Sequence, residues 1–206
     1  MHALARFASA LFGLWLGTVS MAMAAEPAAQ GNAPATAVFA GGCFWCMEPP
    51  FDALAGVTAT TSGFTGGHQA NPSYKDVSSG GTGHVEAVQI SYDPAQLSYQ
   101  ELLDVYWRNI DPVDDGGQFC DRGQEYLSVI FYQNEEQKKL AEQSKATVED
   151  RLGRPVATAL RPAAPFYAAE DYHQDYYRKN PVRYKYYRYS CGRDQRLEEL
   201  WGTQEK

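Results

Sequence analysis

Two hydrophobic periods alternate along this chain. Thr36-Ala37-Val38-Phe39-Ala40 is a short apolar run closed by Gly41-Gly42 and predicts a buried strand. Val57 to Gly63 (VTATTSG) and His84 to Tyr92 (HVEAVQISY) alternate with period two and predict further strands. The second of these places Val85 and Ala87 on one face and Glu86, Val88 and Ile90 on the other. Tyr126 to Tyr132 (YLSVIFY) and Val156 to Leu160 complete the set of strands. Helical spacing appears elsewhere. Residues 44–54 open a helix with Pro49 and Pro50 in its early turns. Ser98 and Glu101 form a capping box ahead of Leu102, Leu103, Tyr106 and Trp107. Asn134 caps a charged amphipathic helix through Leu152, and Ala168 to Lys179 and Gln195 to Trp201 read as two more helices. Residues 66–83, rich in Gly, Asn and Ser, and Asp111 to Cys120 read as loops. Strands and helices intermix without strict alternation. The expected fold is therefore α/β (α+β), a two-layer sandwich with a mixed central sheet flanked by helices.

The first segment has a different layout. Arg6 precedes an apolar run from Phe7 to about Val19, followed by Ala22-Met23-Ala24, a small-x-small pattern. Residues 1–24 read as a cleaved signal peptide, residues 25–35 as a flexible leader, and residues 36–206 as one catalytic domain. The expected location is outside the cytoplasm, in the periplasm, with no membrane contact after cleavage. The alternative is a membrane anchor formed by an uncleaved N-terminus; the run is short for a span.

Of the 206 residues, 44% are hydrophobic and 21% charged, which suits a globular domain with its own core. The formal net charge of −7 gives no basic excess for nucleic acid, so no nucleic-acid partner is expected. The local stretch Arg178 to Arg188 (RKNPVRYKYYR) reads as a solvated face near a helix end. Nothing in the pattern marks a subunit interface, and a monomer is expected.

Four cysteines follow the leader: Cys43, Cys46, Cys120 and Cys191. In an exported protein an even count first suggests two structural disulfides. A domain of this size does not need them, so redox chemistry competes with that reading. Cys43 follows an apolar strand and a glycine pair and opens a helix. Free amides at a helix N-terminus favour an anion, so its thiol pKa is expected to be lowered. A drop of about two units would be worth roughly 2.7 kcal/mol and would make the thiol mostly thiolate at neutral pH. Phe44 and Trp45 beside it offer aromatic faces on which a thioether or sulfoxide methyl packs well. Cys43-x-x-Cys46 has a spacing that suits zinc, but no second pair completes a tetrahedral set, and neither a metal nor a cofactor is expected. His84 reads as packing near Glu86, and His173 as lying near the site's rim.

Six ordered blocks make a specific likeness. They are Gly41-Gly42-Cys43-Phe44-Trp45-Cys46, Gly63-Phe64-Thr65-Gly66-Gly67 and Asn71-Pro72-Ser73-Tyr74, then Thr82-Gly83-His84-Val85-Glu86-Ala87-Val88, Cys120-Asp121-Arg122-Gly123 with Tyr126, and Ala169-Glu170-Asp171-Tyr172-His173-Gln174. In this order they resemble the motifs of the class A peptide methionine sulfoxide reductases.

The resemblance implies an enzyme that reduces methionine-S-sulfoxide, free or in proteins and peptides, and so repairs oxidised proteins. Cys43 is the nucleophile on the sulfoxide sulfur, and Glu86 is the acid that protonates the departing oxygen. Tyr74 and Tyr126 orient that oxygen, Asp121 holds the site by hydrogen bonds, and Phe44 and Trp45 line the substrate position. The oxygen ends on Cys43 as a sulfenic acid, which a second thiol converts to a disulfide. The family often places that resolving thiol in a C-terminal tail, where Cys191 stands before Gly192. Cys46, three residues beyond Cys43 on one helix face, is the alternative. Cys120, beside Asp121, is a further candidate to take part; its default reading is a buried thiol. Recycling would fall to thioredoxin or an exported thioredoxin-like reductant. Two departures stand out: Phe64 replaces a commoner tyrosine, and Leu127 follows Tyr126 where arginine is common.

Two rival readings use the same cysteines. A thiol–disulfide oxidoreductase would work through Cys43 and Cys46, and a non-enzymatic binding module would hold two stable bridges.

Overall fold

The computed structural model describes residues 33–202. The elements in chain order are β1 (Ala35–Gly41), α1 (Phe44–Asp52), β2 (Val57–Thr65), α2 (Tyr74–Ser78), β3 (Val85–Tyr92) and α3 (Tyr99–Arg108). There follow β4 (Gly117–Gln118), β5 (Asp121–Arg122), a 3-10 turn at Gln124–Tyr126, β6 (Ser128–Tyr132), α4 (Glu135–Leu152) and β7 (Ala159–Pro162). The last are β8 (Phe166–Ala168), α5 (Tyr176–Lys179), α6 (Pro181–Ser190) and α7 (Arg193–Trp201). The expected signal peptide, residues 1–24, and nearly all of the expected leader lie outside the described residues.

Six strands form one sheet in the order β7-β6-β1-β3-β2-β8, and β4 and β5 make a separate two-stranded ribbon. Pairing is antiparallel throughout the large sheet except between β6 and β7, which run parallel. The expected mixed α/β architecture is thus present. Period-two alternation sorts each strand between two apolar layers. Ala37 and Phe39 of β1 and Val88 and Ile90 of β3 join the large core under the helices, where they meet Phe51, Leu102, Leu103 and Tyr106. Val38, Ala40, Val85, Ala87, Val129 and Phe131 form a smaller core on the opposite face. Glu86 has the parity of Val88, so β3 turns its carboxyl toward the helix layer.

The predicted caps are present. Ser98 and Glu101 close a reciprocal capping box on α3, and the Asn134 side chain accepts from the Gln137 amide at the start of α4. A second box, Ser73 with Asp76, starts α2 inside the expected 66–83 loop.

Several boundaries differ from the sequence reading. Ala168 to Lys179 is not a helix; only Tyr176–Lys179 is helical. Here polar side chains leave the local pattern to bond distant backbone. Glu170 accepts from the Tyr74 amide, and Gln174 both accepts from and donates to the backbone of Ser62 on β2. Asp175, with φ +52°, then breaks any continuous helix. The expected strand Val156–Leu160 starts later, at Ala159, and Tyr126 sits in the 3-10 turn before β6. Gly117–Gln118 gives the expected 111–120 loop a short strand. The tyrosine-rich basic stretch carries a helix of its own, α6, begun by Pro181.

Candidate active site

Strand β1 lies in the middle of the sheet and leads into Cys43. It ends at Gly41, and Gly42 turns the chain with φ +80°. A Cβ on Gly42 would lie 2.6 Å from the Gln118 Cβ, so both conformation and space require glycine. Cys43 is then the N-cap residue of α1, with only 6% of its surface exposed.

That cap works differently from the sequence expectation. The Phe44 amide, first of the helix, donates to Glu86 Oε2 at 3.0 Å rather than to the sulfur. Burial raises the Cys43 thiol well above its ordinary value, and Glu86, Cys46 and Asp121 push in the same direction; a hydrogen bond with Tyr187 opposes them. The expected depressed thiol pKa is therefore corrected. Desolvation in a closed pocket outweighs a helix terminus whose leading donor is already engaged. Cys43 is held as a neutral thiol in this structure.

Glu86 is 2% exposed. Burial pushes its pKa up from 4.5 to about 8; the Phe44 amide pulls it down, and Asp121 and Glu125 add to the rise. At neutral pH this is mostly a carboxylic acid with a proton to give. Tyr74 stands at the start of α2 and Tyr126 on the 3-10 turn, and the structure brings their hydroxyls together beside Glu86. Burial and the Glu86 and Cys43 charges raise Tyr74 to about 12, against a hydrogen bond from Tyr126. Tyr126 is raised further, by burial first and then by Glu86. Both hydroxyls stay protonated and can donate to an oxygen. Asp121 is half-buried on β5 and accepts from the Tyr187 hydroxyl. Burial raises its pKa, while Tyr187 and Arg193 pull it down.

Aromatic rings wall the site. Trp45 stacks on Tyr176 with centroids 3.7 Å apart and planes 5° from parallel, and its Nε1 donates to His173 Nδ1 at 3.0 Å. His173 is buried, not at the rim as expected, and burial lowers its pKa. Its neutral ring accepts the tryptophan proton and touches Phe44 and Tyr74. Phe64 packs 5.8 Å from Phe44, fully buried, so the hydroxyl missing from that position would have pointed into the core. His84 is structural: its Nδ1 accepts from the Gly67 amide and its Nε2 lies 2.8 Å from the Gln69 carbonyl.

The cysteines sort unexpectedly. Cys120 and Cys191 are joined by a disulfide with Cα atoms 4.9 Å apart, and Cys43 and Cys46 are free and buried. Cys120 is neither free nor buried, which corrects its default reading. It sits exposed in the tight turn between β4 and β5 after Phe119, whose φ is +57°. Cys191, the expected resolving thiol, is tied to Cys120 rather than to Cys43.

Three side chains of the site were not anticipated. Tyr187 projects from α6 to Asp121 and the Cys43 sulfur. Arg193 is 1% exposed under the glycine turn and donates to the carbonyls of Gly41 (3.2 Å) and Asn109 (2.6 Å). Glu48 on α1, raised to about 7 chiefly by burial, accepts from the Asp175 amide and so pins the loop that carries His173. That Glu48 is buried follows from its helical spacing to Phe44 and Phe51, a signal available in the sequence. Tyr187 and Arg193 have no comparable local signal.

Known proteins share both sequence and fold. Residues 35–205 match the family model described as peptide methionine sulfoxide reductase. The chain is 52% identical over 168 residues to the peptide methionine sulfoxide reductase MsrA of Bacillus licheniformis, covering 81% of this chain and 93% of that one. To the protein of the same name from Streptococcus pyogenes it is 53% identical over 167 residues, covering 80% and 98%. Among solved structures, Mxr1 from Saccharomyces cerevisiae in reduced form aligns with a TM-score of 0.70 at 30% identity, covering 73% of this chain and 87% of that one. Methionine sulfoxide reductase A of Corynebacterium diphtheriae aligns with a TM-score of 0.66 at 31% identity, covering 73% and 77%. Sequence over the whole described domain and fold over most of it agree, and this chain is an oxidoreductase that belongs to the peptide methionine sulfoxide reductase family.

Proposed function

We propose that the chain reduces methionine-S-sulfoxide, free or in proteins and peptides, through a sulfenic acid on Cys43. The observation that carries this reading is the buried Glu86 carboxyl, protonated at neutral pH and hydrogen-bonded to the first amide of the helix that Cys43 caps. A sulfoxide placed here meets a thiol at its sulfur and acidic hydrogens at its oxygen. Tyr74 and Tyr126 donate to that oxygen as charge builds on it. Glu86 gives it a proton while Cys43 attacks the sulfur. The Cys43 proton passes to the Glu86 carboxylate, so the site ends neutral. The hydroxyl then passes from the methionine sulfur to the Cys43 sulfur: a Cys43 S–O bond forms, the S–O bond to methionine and the S–S bond made in the attack break, and the thioether leaves with the electron pair, so Cys43 ends as a sulfenic acid. Phe44 and Trp45 supply the apolar faces for the methyl group.

Cys191 is our assignment for the thiol that condenses with the sulfenic acid, releasing water and leaving a disulfide; Cys46, free and three residues from Cys43, is the alternative. A thioredoxin-like dithiol then restores the enzyme. We also propose that residues 1–24 direct export to the periplasm, that the reductant belongs to that compartment, and that the mature chain is a monomer. Mass spectrometry of the mature protein and sedimentation test the first and the last of these three points: an N-terminus at Ala25 and one protomer per particle are expected, and an intact Met1 or a dimer would discard them.

A single-turnover assay tests the reaction. Fully reduced protein receives each epimer of a blocked methionine sulfoxide without reductant, and methionine and thiols are counted. Methionine from the S epimer alone, with two thiols lost per methionine, is expected. No methionine with thiols unchanged would discard this reading in favour of a disulfide oxidoreductase working through Cys43 and Cys46.

A further inference from the structure

We infer that the tyrosine-rich face of α6 is a docking surface for the polypeptide around the oxidised methionine, favouring an aromatic side chain beside the sulfoxide and an acidic one next to that. This rests on the reductase reading above and names the substrates that the site takes best.

Among the described residues, the large hydrophobic side chains that stand exposed are Tyr172, Val182, Tyr186 and Tyr189, at 59%, 80%, 74% and 84%. All belong to the segment that carries His173 and covers Cys43. Val182, Tyr186 and Tyr189 have the i, i+4, i+7 spacing of one helix face. Exposure grouped in this way marks a contact surface, whereas scattered single side chains do not. Tyrosine suits the task, because a large amphipathic ring is ordered at little entropic cost.

Continuity with the site selects the occupant. A cleft of about 340 Å³ beside α6 is lined by Trp45, Tyr176, Arg183, Tyr186, Tyr187 and Ser190. Trp45 and Tyr176 stack in the wall of the site. Tyr187 meets Trp45 edge-on at 5.8 Å and touches the Cys43 sulfur. The cleft therefore adjoins the place where the sulfoxide must lie. Cys43 is recessed, with 6% of its surface exposed. A methionine sulfur hangs on a short side chain, and neighbouring Cα atoms lie about 3.8 Å apart. When that sulfur reaches Cys43, the flanking residues are drawn against the rim, and on this side the rim is Tyr186 and Arg183.

Charge narrows the class of partner. The chain as a whole carries −7, yet α6 (PVRYKYYRYS) has three cationic residues and no acidic one. Arg188 is engaged by Asp194. Arg183 and Lys185 stand exposed and form no ion pair among the described residues. Arg183 lines the cleft together with Tyr186, so an acidic side chain that follows an aromatic one meets a cation already in place, and a lysine there is repelled.

Peptide selectivity tests this. The quantity read is the second-order rate constant for methionine formation in a single turnover without reductant, so recycling does not enter. The substrates are the S epimers of a blocked methionine sulfoxide and of three blocked pentapeptides centred on it. One has phenylalanine on both sides and glutamate at both ends; the second has lysine in place of glutamate; the third has glycine at all four positions. The phenylalanine–glutamate peptide is expected to react about 10-fold faster than the glycine peptide. It should react about 2- to 5-fold faster than the lysine peptide, a margin that closes in about 1 M salt. Tyr186→Ser should remove most of the first margin and Arg183→Gln the second, while both variants reduce the blocked amino acid at the wild-type rate. Equal rates for the three peptides, or margins unmoved by the substitutions, would overturn the inference and give the face to another occupant. A dimer in sedimentation that Tyr186→Ser dissolves would make that occupant a second copy; slower recycling by a dithiol protein, with peptide rates unchanged, would make it the reductant. Failure of the reductase reading looks different, since no substrate, the blocked amino acid included, would then yield methionine.

Discussion

Replacing Glu86 by Gln separates its two effects, one on rate and one on stability. The amide keeps the shape and keeps an acceptor for the Phe44 amide, 3.0 Å away in the wild type, but it has no proton to transfer. Loss of a general acid slows the chemical step by about 10²- to 10⁴-fold. The folded carboxyl titrates at about 8 against an ordinary 4.5. Above 4.5 the unfolded chain ionises while the folded one stays protonated, so the raised pKa lowers stability as pH climbs. Linkage sets the slope at about 1.4 kcal/mol per pH unit, or about 5 kcal/mol across the interval. Glu86→Gln removes that slope. The assays are single-turnover methionine formation from pH 6 to 9.5 and urea unfolding from pH 5 to 8. Wild-type turnover should lose its acid limb above about pH 8, and the variant should lack that limb. The stability difference, variant minus wild type, should widen as pH rises. Rates within a few-fold of wild type, or parallel stability curves, would refute the reasoning.

Cys43→Ser should abolish methionine formation in the single-turnover assay, since no sulfur remains to accept oxygen; measurable turnover would remove Cys43 from its role. Gly42→Ala should cost about 1–3 kcal/mol in urea unfolding and slow the first turnover, because φ +80° and the Gln118 side chain at 2.6 Å leave no room for a methyl. Tyr187→Phe leaves the half-buried Asp121 carboxylate without its hydroxyl donor and should destabilise by about 1–3 kcal/mol. Arg193→Met strands the Gly41 and Asn109 carbonyls in the interior and should lower stability by a few kcal/mol, about 1–3 for each group.

The buried face of Glu86 and the cap position of Cys43 were legible because each rests on a local rule, whereas the roles given to them came only from the family resemblance. Strand parity puts Glu86 on the face of Val88 and Ile90, and a strand-glycine-helix junction exposes Cys43 at a cap. The pKa of that thiol was not legible, since it depends on which group takes the Phe44 amide, a contact across 42 residues. Helix α6 was hidden because none of its residues is buried, so it shows no apolar stripe. The 168–179 segment misled for the opposite reason: a helical pattern is overridden by the side chains of Glu170 and Gln174 bonding distant backbone. The pairing of Cys120 with Cys191 spans 71 residues and no spacing rule reaches it.

The contact between Arg193 and Gly41 joins residues 152 positions apart. A ribosome builds the strand that carries the nucleophile early and the helices that support and cover it almost last. Until Tyr187 and Arg193 are made, Cys43 on a nascent chain has no lid and no buttress under its turn. It is then an ordinary open thiol, available to stray oxidants and to mispairing with Cys46. A chain cut short within its last two helices would keep that bare thiol permanently, so translation to the C-terminus is itself the step that confines the reactive sulfur.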